Sequence, residues 1–245
     1  SGRRLEYKNN IIQPRIVYST TALDKQTITG GLEYYRESLF SDKFETGVKE
    51  NKSQWYATAF LQDDWSINKQ FSVIAGLRCD YHEKYGTNLT PKASVMYKIF
   101  PFTVRFNYAR GYRSPSIKEL YMNWDHLGMF WIYGNSKLKP ETNNYISLSG
   151  EYVNSWININ ANVYSNWFRN KIEGMWSNDQ TELHYINIGK SRLAGVETMC
   201  KIQINRHINV HGAYNYLYTS KDADGVRLSS SSPHSGNIRA EYNTR

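Results

Sequence analysis

Residues 54–82 read QWYATAFLQDDWSINKQFSVIAGLRCDYH, from Gln54 to His82. Two runs in this stretch repeat with period two. In the first, one face carries Trp55, Ala57, Ala59, Leu61, Asp63 and Trp65, against Gln54, Tyr56, Thr58, Phe60, Gln62 and Asp64. In the second, Phe71, Val73, Ala75, Leu77, Cys79 and Tyr81 oppose Ser72, Ile74, Gly76, Arg78, Asp80 and His82. Apolar residues that alternate, without recurring at three and four, predict strands and not helices. Each apolar face begins and ends on an aromatic residue, ten positions apart. Ten residues rise roughly 33 Å, and a tilt of about 40° projects that to ~25 Å, the height of a lipid-facing band between two aromatic girdles. Trp55, Trp65, Phe71 and Tyr81 are therefore expected to face outward, and Gln62, Arg78 and Asp80 inward.

The pattern continues on both sides. Ala93, Val95, Tyr97 and Ile99 alternate with Lys92, Ser94, Met96 and Lys98; Phe102, Val104, Phe106 and Tyr108 share one face of the next run. Ile146, Leu148 and Tyr152 follow, then Ile157, Ile159, Ala161, Val163 and Trp167 against Asn158, Asn160, Asn162, Tyr164 and Asn166. Ala194, Val196, Cys200 and Ile202, and the Tyr214–Tyr216–Tyr218 ladder, complete the series. The Asn-rich faces suit water better than a packed core, because each buried amide would need partners. Short connections near 22–25, 67–69, 100–101, 154–155 and 205–207 alternate with longer ones at 38–52, 83–90, 113–140, 177–181 and 221–231. Short turns at one end and long loops at the other mark an outer-membrane barrel. A soluble β-sandwich or lipocalin-like barrel also alternates, but lacks paired aromatic ends and one-sided loops. The fold class expected is all-β, an antiparallel transmembrane β-barrel. About eleven strands fit between Leu5 and Tyr242. An odd count leaves two sheet edges unpaired in lipid, so residues 1–245 are expected to be part of a larger barrel.

Composition agrees. No apolar run approaches the ~18 residues of a membrane helix, and a negative mean hydropathy is as natural to a barrel as to a soluble chain. The formal charge is +8 but spread along the sequence, which speaks against nucleic acid and allows attraction to anionic lipid heads or substrates. Cys79 and Cys200 have no metal spacing and are expected to remain unpaired on outward faces. Asp222-Ala223-Asp224-Gly225 reads as a turn, lacking the further acids of a calcium loop. The start, Ser1-Gly2-Arg3-Arg4, shows no signal peptide and is expected to be internal to a longer protein.

The longest connection, RGYRSPSIKELYMNWDHLGMFWIYGNSKLKPET from Arg110 to Thr142, is rich in aromatics and far above hairpin length. Such loops tend to carry function. Its ends resemble two boxes of TonB-dependent outer-membrane receptors. Tyr112-Arg113-Ser114-Pro115, with Glu119, Leu120 and Tyr121, is similar to "FRAP-x-x-x-E-L-Y". Gly134-Asn135-Ser136-Lys137-Leu138-Lys139-Pro140-Glu141 is similar to "GNP-x-LKPE", with Ser136 in place of Pro; Ser114 stands for Ala in the first box. Phe60 to Trp65, and Asn187-Ile188-Gly189 followed by Ala194-Gly195-Val196-Glu197, resemble further segments of the family in the family's order.

The resemblance implies a barrel of about 22 strands closed by a plug domain. No plug, TonB-contacting segment or C-terminal closing strand is recognisable, so residues 1–245 are expected to be a fragment of the barrel domain, roughly its middle half. The implied function is energised uptake of a scarce nutrient across the outer membrane of a Gram-negative bacterium. The implied partners are the TonB energising complex, outer-membrane lipid and a small-molecule nutrient, with no nucleic acid. No intrinsic cofactor is expected; haem or a ferric chelate is the transported ligand. Haem receptors of the family often carry a His between the two boxes, where His126 lies. A neutral imidazole can ligate haem iron and neighbouring aromatics can stack on the porphyrin. His126, Trp124, Trp131, Tyr133 and Arg113 are the candidate ligand-binding residues, with Met129 and Phe130 beside them. Siderophore and cobalamin receptors share both boxes, and a passive porin or adhesin would explain the alternation but not the ordered boxes. His82, His126, His184 and His211 are scattered without a nucleophile motif, so no enzyme is expected.

Overall fold

The computed structural model describes residues 7–220 and 232–244. In chain order the elements are β1 (Tyr7–Ile12), β2 (Arg15–Thr20), β3 (Gln26–Ser41), β4 (Glu50–Ser66), β5 (Phe71–His82), β6 (Gly86–Ile99), β7 (Phe102–Arg113), α1 (Ile117–Tyr121), β8 (Asn123–Asp125), β9 (Trp131–Tyr133), β10 (Glu141–Val153), β11 (Ile157–Trp176), β12 (Glu182–Gln203), β13 (Ile208–Thr219) and β14 (His234–Tyr242). One sheet runs β1-β3-β4-β5-β6-β7-β10-β11-β12-β13-β14, each strand antiparallel to the next. β2 also pairs with β3, beside β1, so the two form a single edge strand broken at Pro14. Proline offers no N–H to a ladder, and an edge is where it is tolerated. The sheet therefore has eleven strand positions, the number the alternation predicts. Among the described residues β1 and β14 do not pair, and the sheet stays open.

Facing follows the pleat. Leu61, Trp65, Leu77 and Tyr81 are exposed on the outer surface, with Leu61 at 59%. Tyr34, Trp55 and Tyr81 form a row of rings on adjacent strands, with centroids 6.0 and 5.8 Å apart. At the opposite end Phe71 pairs with Tyr97, and the ring of Phe102 lies 5.1 Å from that of Tyr152. These are the two girdles. The inner face is polar and cross-linked. Thr58 donates to Asp80 at 2.5 Å, Arg78 pairs with Asp80 at 2.9 Å, and Ser94, Asn107 and Ser147 form a hydrogen-bonded ladder over three strands. Cys79 and Cys200 are free thiols on well-separated strands.

The short turns have a common chemistry. Asn68, Asn154 and Asn205 each accept two backbone N–H groups through Oδ1, at 2.8–2.9 Å, closing their turns with a side chain. At the other end the strands outrun their apolar alternation. The connection expected at 83–90 is only residues 83–85, because Thr87, Asn88 and Thr90 stay in the ladder opposite Tyr81, Asp80 and Arg78. Likewise 38–52 shortens to 42–49. Alternation ends where lipid ends, but backbone pairing needs no lipid. β11 and β12, of 20 and 22 residues, are about twice the ~10 residues a tilted strand needs to cross a bilayer, and rise beyond it as a projecting hairpin. The expected connection at 221–231, with its Asp222–Gly225 turn, and the expected first strand residue Leu5 lie outside the described residues.

Candidate functional site

The connection 114–140 is folded, and most of it turns inward. Ser116 begins α1 with a capping box: its Oγ accepts from the Glu119 N–H at 3.3 Å, and the Glu119 carboxylate accepts from the Ser116 N–H at 2.8 Å. The five-residue helix buries Ile117 and Leu120, each in its own apolar cluster. Ile117 packs with Leu39, Phe44 and Met122; Leu120 packs with Leu138 and Ile172. One short helix thus sits between β3 and β11, two strands with five others between them in the sheet. These two clusters are the apolar core of the described residues, and both lie on the concave side.

The second box closes on the first. Asn135 N–H donates to the Glu119 carbonyl at 2.8 Å and its Nδ2 to the Tyr185 carbonyl at 3.0 Å. A Cβ on Gly134 would stand 2.8–3.0 Å from backbone atoms of Tyr121, Met122 and Leu120, so the close approach requires glycine. Lys139 exchanges two hydrogen bonds with the Asn187 amide, at 2.8 and 2.9 Å, and Asn187 also donates to the Asn170 carbonyl. The fork of Arg113 is occupied: Nη1 binds Glu119 at 2.9 Å, and Nη2 reaches Glu141 at 3.4 Å and the Ile172 carbonyl. Tyr85 donates to the Leu138 carbonyl at 3.1 Å; burial first, then nearby Tyr121, Tyr112 and Glu119, push its pKa up to about 12. Tyr112, Arg113 and Ser114, with Tyr56, Arg78, Asp80 and His82, line an inner polar cavity of about 260 Å³. The hydroxyl of Tyr112 and Nε2 of His82 are buried there without a hydrogen-bond partner.

What remains, residues 123–133, is the β8–β9 hairpin, which pairs in parallel with the start of β12. Its tip is apolar and exposed at Leu127 and Met129. The imidazole of His126 lies against Phe130, with centroids 4.9 Å apart, and meets Trp124 edge-on at 5.0 Å; Phe130 in turn meets Trp176 at 4.8 Å. His126 Nδ1 is buried with no hydrogen-bond partner. Lys43 sits 4.2 Å over the Trp124 ring. On the other face Trp131 and Tyr133 stack at 6.2 Å, and His184 stacks on Tyr133 at 4.8 Å while its Nε2 contacts Glu182 at 2.8 Å. The candidate aromatics therefore fall into two groups. His126 and Trp124 belong to one, Trp131 and Tyr133 to the other, and Arg113 is packed below both. Trp176 and His184 complete the groups from β11 and β12. They lie 50 or so residues away in sequence, and nothing local to them signals the contact.

Two metal-free chemistries suit this rim: stacking on a flat conjugated ligand, and attraction of an anion by Lys43 beside an indole face. Ring nitrogens of His126 and His184 add coordinating atoms.

Comparison with known proteins follows the same lines. A family model described as TonB dependent receptor-like, beta-barrel matches residues 4–245. The iron-regulated outer membrane virulence protein of Vibrio cholerae is 24% identical over 239 residues, covering 90% of this chain and 36% of that protein. The vitamin B12 transporter BtuB of the same species is 29% identical over 201 residues, covering 80% of this chain and 30% of its own length. The siderophore receptor PirA from Pseudomonas aeruginosa superposes with a TM-score of 0.77 at 19% identity, over 98% of this chain and 44% of that one. The chain thus spans about a third of the length of these curated relatives.

Proposed function

The chain belongs to the TonB-dependent receptors, as a part of their β-barrel domain, and from that premise we propose that it forms one wall and the ligand-facing rim of an outer-membrane receptor for an iron chelate bearing flat aromatic groups. Haem is the leading ligand and an aromatic siderophore the second. Its proposed place is the outer membrane of a Gram-negative bacterium. Its proposed partners are the TonB energising complex, surrounding lipid and the ligand itself. Capture, not catalysis, is the task.

The observation that carries this reading is the hairpin 123–133. Its tip is the most exposed part of the long connection, and it presents two aromatic groups, each with a histidine. In the haem version His126 supplies an axial nitrogen. Its buried Nδ1 leaves Nε2 as the coordinating atom, and Trp124 and Phe130 fix the ring's orientation. Trp131 and Tyr133 wall the porphyrin. In the siderophore version Lys43 and the same rings hold an anionic aromatic chelate, as the names of relatives that bind siderophores favour. A cobalamin, the cargo named for one relative, is the third option.

Haem absorbance on the full-length receptor separates these. We expect His126→Ala to shift the Soret band and slow growth on haem, with growth on inorganic iron unchanged. An unchanged spectrum and unchanged growth on haem remove haem and leave the siderophore in first place.

A further inference from the structure

The short turns of this sheet are closed by an amide oxygen, and one connection at the opposite end makes the same bond with a different acceptor. Asn68, Asn154 and Asn205 each accept the N–H two residues on. At the β5–β6 connection that place is held by His82, whose Nδ1 accepts the Lys84 N–H at 3.1 Å. An amide oxygen accepts at any physiological pH. An imidazole nitrogen accepts only while the ring is neutral, since both nitrogens of the charged ring are donors. The bond therefore fixes the tautomer, with the proton on Nε2. His82 is 2% exposed, and its Nε2 has no hydrogen-bond partner among the described residues.

The connection so closed grips the second box. Lys84 Nζ donates to the Ser136 carbonyl at 3.0 Å, and the Tyr85 hydroxyl to the Leu138 carbonyl at 3.1 Å. The Tyr85 ring lies 4.9 Å from the imidazole and the Tyr56 ring 6.4 Å from it. The charges around the imidazole are engaged elsewhere. On β5, Asp80 is bound by Arg78 and Thr58. In the turn, Glu83 accepts the Trp55 N–H at 3.1 Å. From β7, Arg113 is held by Glu119 and Glu141, and Tyr112 brings a phenol. Behind Tyr56, on β3, Glu37 accepts from Tyr35 and Gln54. Residues 86–91 of β6 carry no titratable side chain. Among the described residues no carboxylate hydrogen-bonds to His82.

We propose that His82 is the pin of an acid-released clasp between the β5–β6 turn and the second box. Uptake of a proton turns Nδ1 into an N–H aimed at the Lys84 N–H, two donors face to face, and the turn opens. Lys84 and Tyr85 leave with it, and the carbonyls of Ser136 and Leu138 lose their partners. His82 stands one residue past the girdle residue Tyr81, outside the lipid-facing band. Burial holds its pKa below the ordinary 6.5, with Lys84 adding to that and Glu83 opposing it. The closed clasp thus binds fewer protons than the open one. Closure is complete above about pH 6.5 and is lost as the pH falls below it, opening becoming about tenfold easier per unit until the closed ring itself titrates. The long connection is held in neutral surroundings and freed in acid, whatever the nutrient.

The test uses the full-length receptor in detergent, with backbone hydrogen exchange read by mass spectrometry at about pH 7.5 and about pH 5, exposure times being scaled for the intrinsic pH dependence of exchange. In the parent, segments 83–86 and 134–140 are expected to lose protection together, about tenfold or more, at the lower pH and to regain it on return, while β4 stays protected. His82→Asn keeps an acceptor for the Lys84 N–H, as Asn68 does in its own turn, and does not titrate. Both segments of that variant should stay protected at both pH values. Should it fail to assemble, Tyr85→Phe is read in its place: without the bond to Leu138, segment 134–140 should exchange faster already at about pH 7.5. Unchanged protection in the parent, an acid response of His82→Asn equal to the parent's, a loss confined to 83–86, or Tyr85→Phe protected like the parent would each overturn the proposal.

Discussion

Gly134 shows how a sequence signature becomes structure. Its box was legible as a family resemblance, but the reason for glycine was not, because the atoms it must clear belong to α1. Gly134→Ala places a methyl group against the backbone of Tyr121 and Met122, which cannot swing away as a side chain would. We expect a loss of about 1–3 kcal/mol, the usual cost of overpacking, read as a lower midpoint in urea unfolding of the receptor. A midpoint equal to the parent's would mean the two boxes are not in contact. Asn187 is the companion case. Its box and the one containing Lys139 read as separate marks 48 residues apart, and the amide of Asn187 joins them through the Lys139 backbone. Hydrogen bonds to a carbonyl impose nothing on the partner's identity, so no property of residue 139 could have announced the bond. Arg113 reads as a ligand-binding candidate; its partners, Glu119 and Glu141, are both visible in the sequence but not their convergence.

Among elements, the strands were the most legible, since period two is enforced at every residue that meets lipid. β5 begins and ends where its alternation does, at Phe71 and His82. β12 begins at Glu182, directly after the connection expected at 177–181, although the alternating face read for it starts only at Ala194. α1 escaped notice because five residues are too few to show a helical period, though Ser116 and Glu119 have the spacing of a capping box. The facing of the strands has a direct test. Ala59 lies opposite Leu32 and Cys79 on the outer face, midway between the girdle residues Trp55 and Trp65. Ala59→Arg should impair assembly by ~2–4 kcal/mol, the cost of a cation at the bilayer midplane, seen as loss of the heat-modifiable folded band on a gel. A variant that inserts like the parent would invert the facing of β4 and, with it, of every strand paired to it.

For the whole molecule, the feature with the widest reach is the small helix that touches both β3 and β11. Five strands separate these two along the sheet, so the wall between them is an arc and α1, with Leu138 and Phe44, is a chord drawn across it. A chord turns flexing of an arch into stretching of a tie. Curvature of this half of the wall is thereby fixed near the rim, and the seam between β7 and β10, paired from Arg113–Glu141 to Phe102–Tyr152, is also braced from within. Only the tip of the 123–133 hairpin, at Leu127 and Met129, stands clear of the tie. Paired spin labels at Lys52 and Lys171 of the receptor should give one narrow distance distribution, unchanged by ligand, whereas a label at Leu127 should shift against either. A broad or ligand-dependent distance between Lys52 and Lys171 would mean the tie is slack. If it holds, this part of the barrel is a stiff frame, and movement at the rim falls to the exposed tip of the hairpin, as a latch moves on a fixed post.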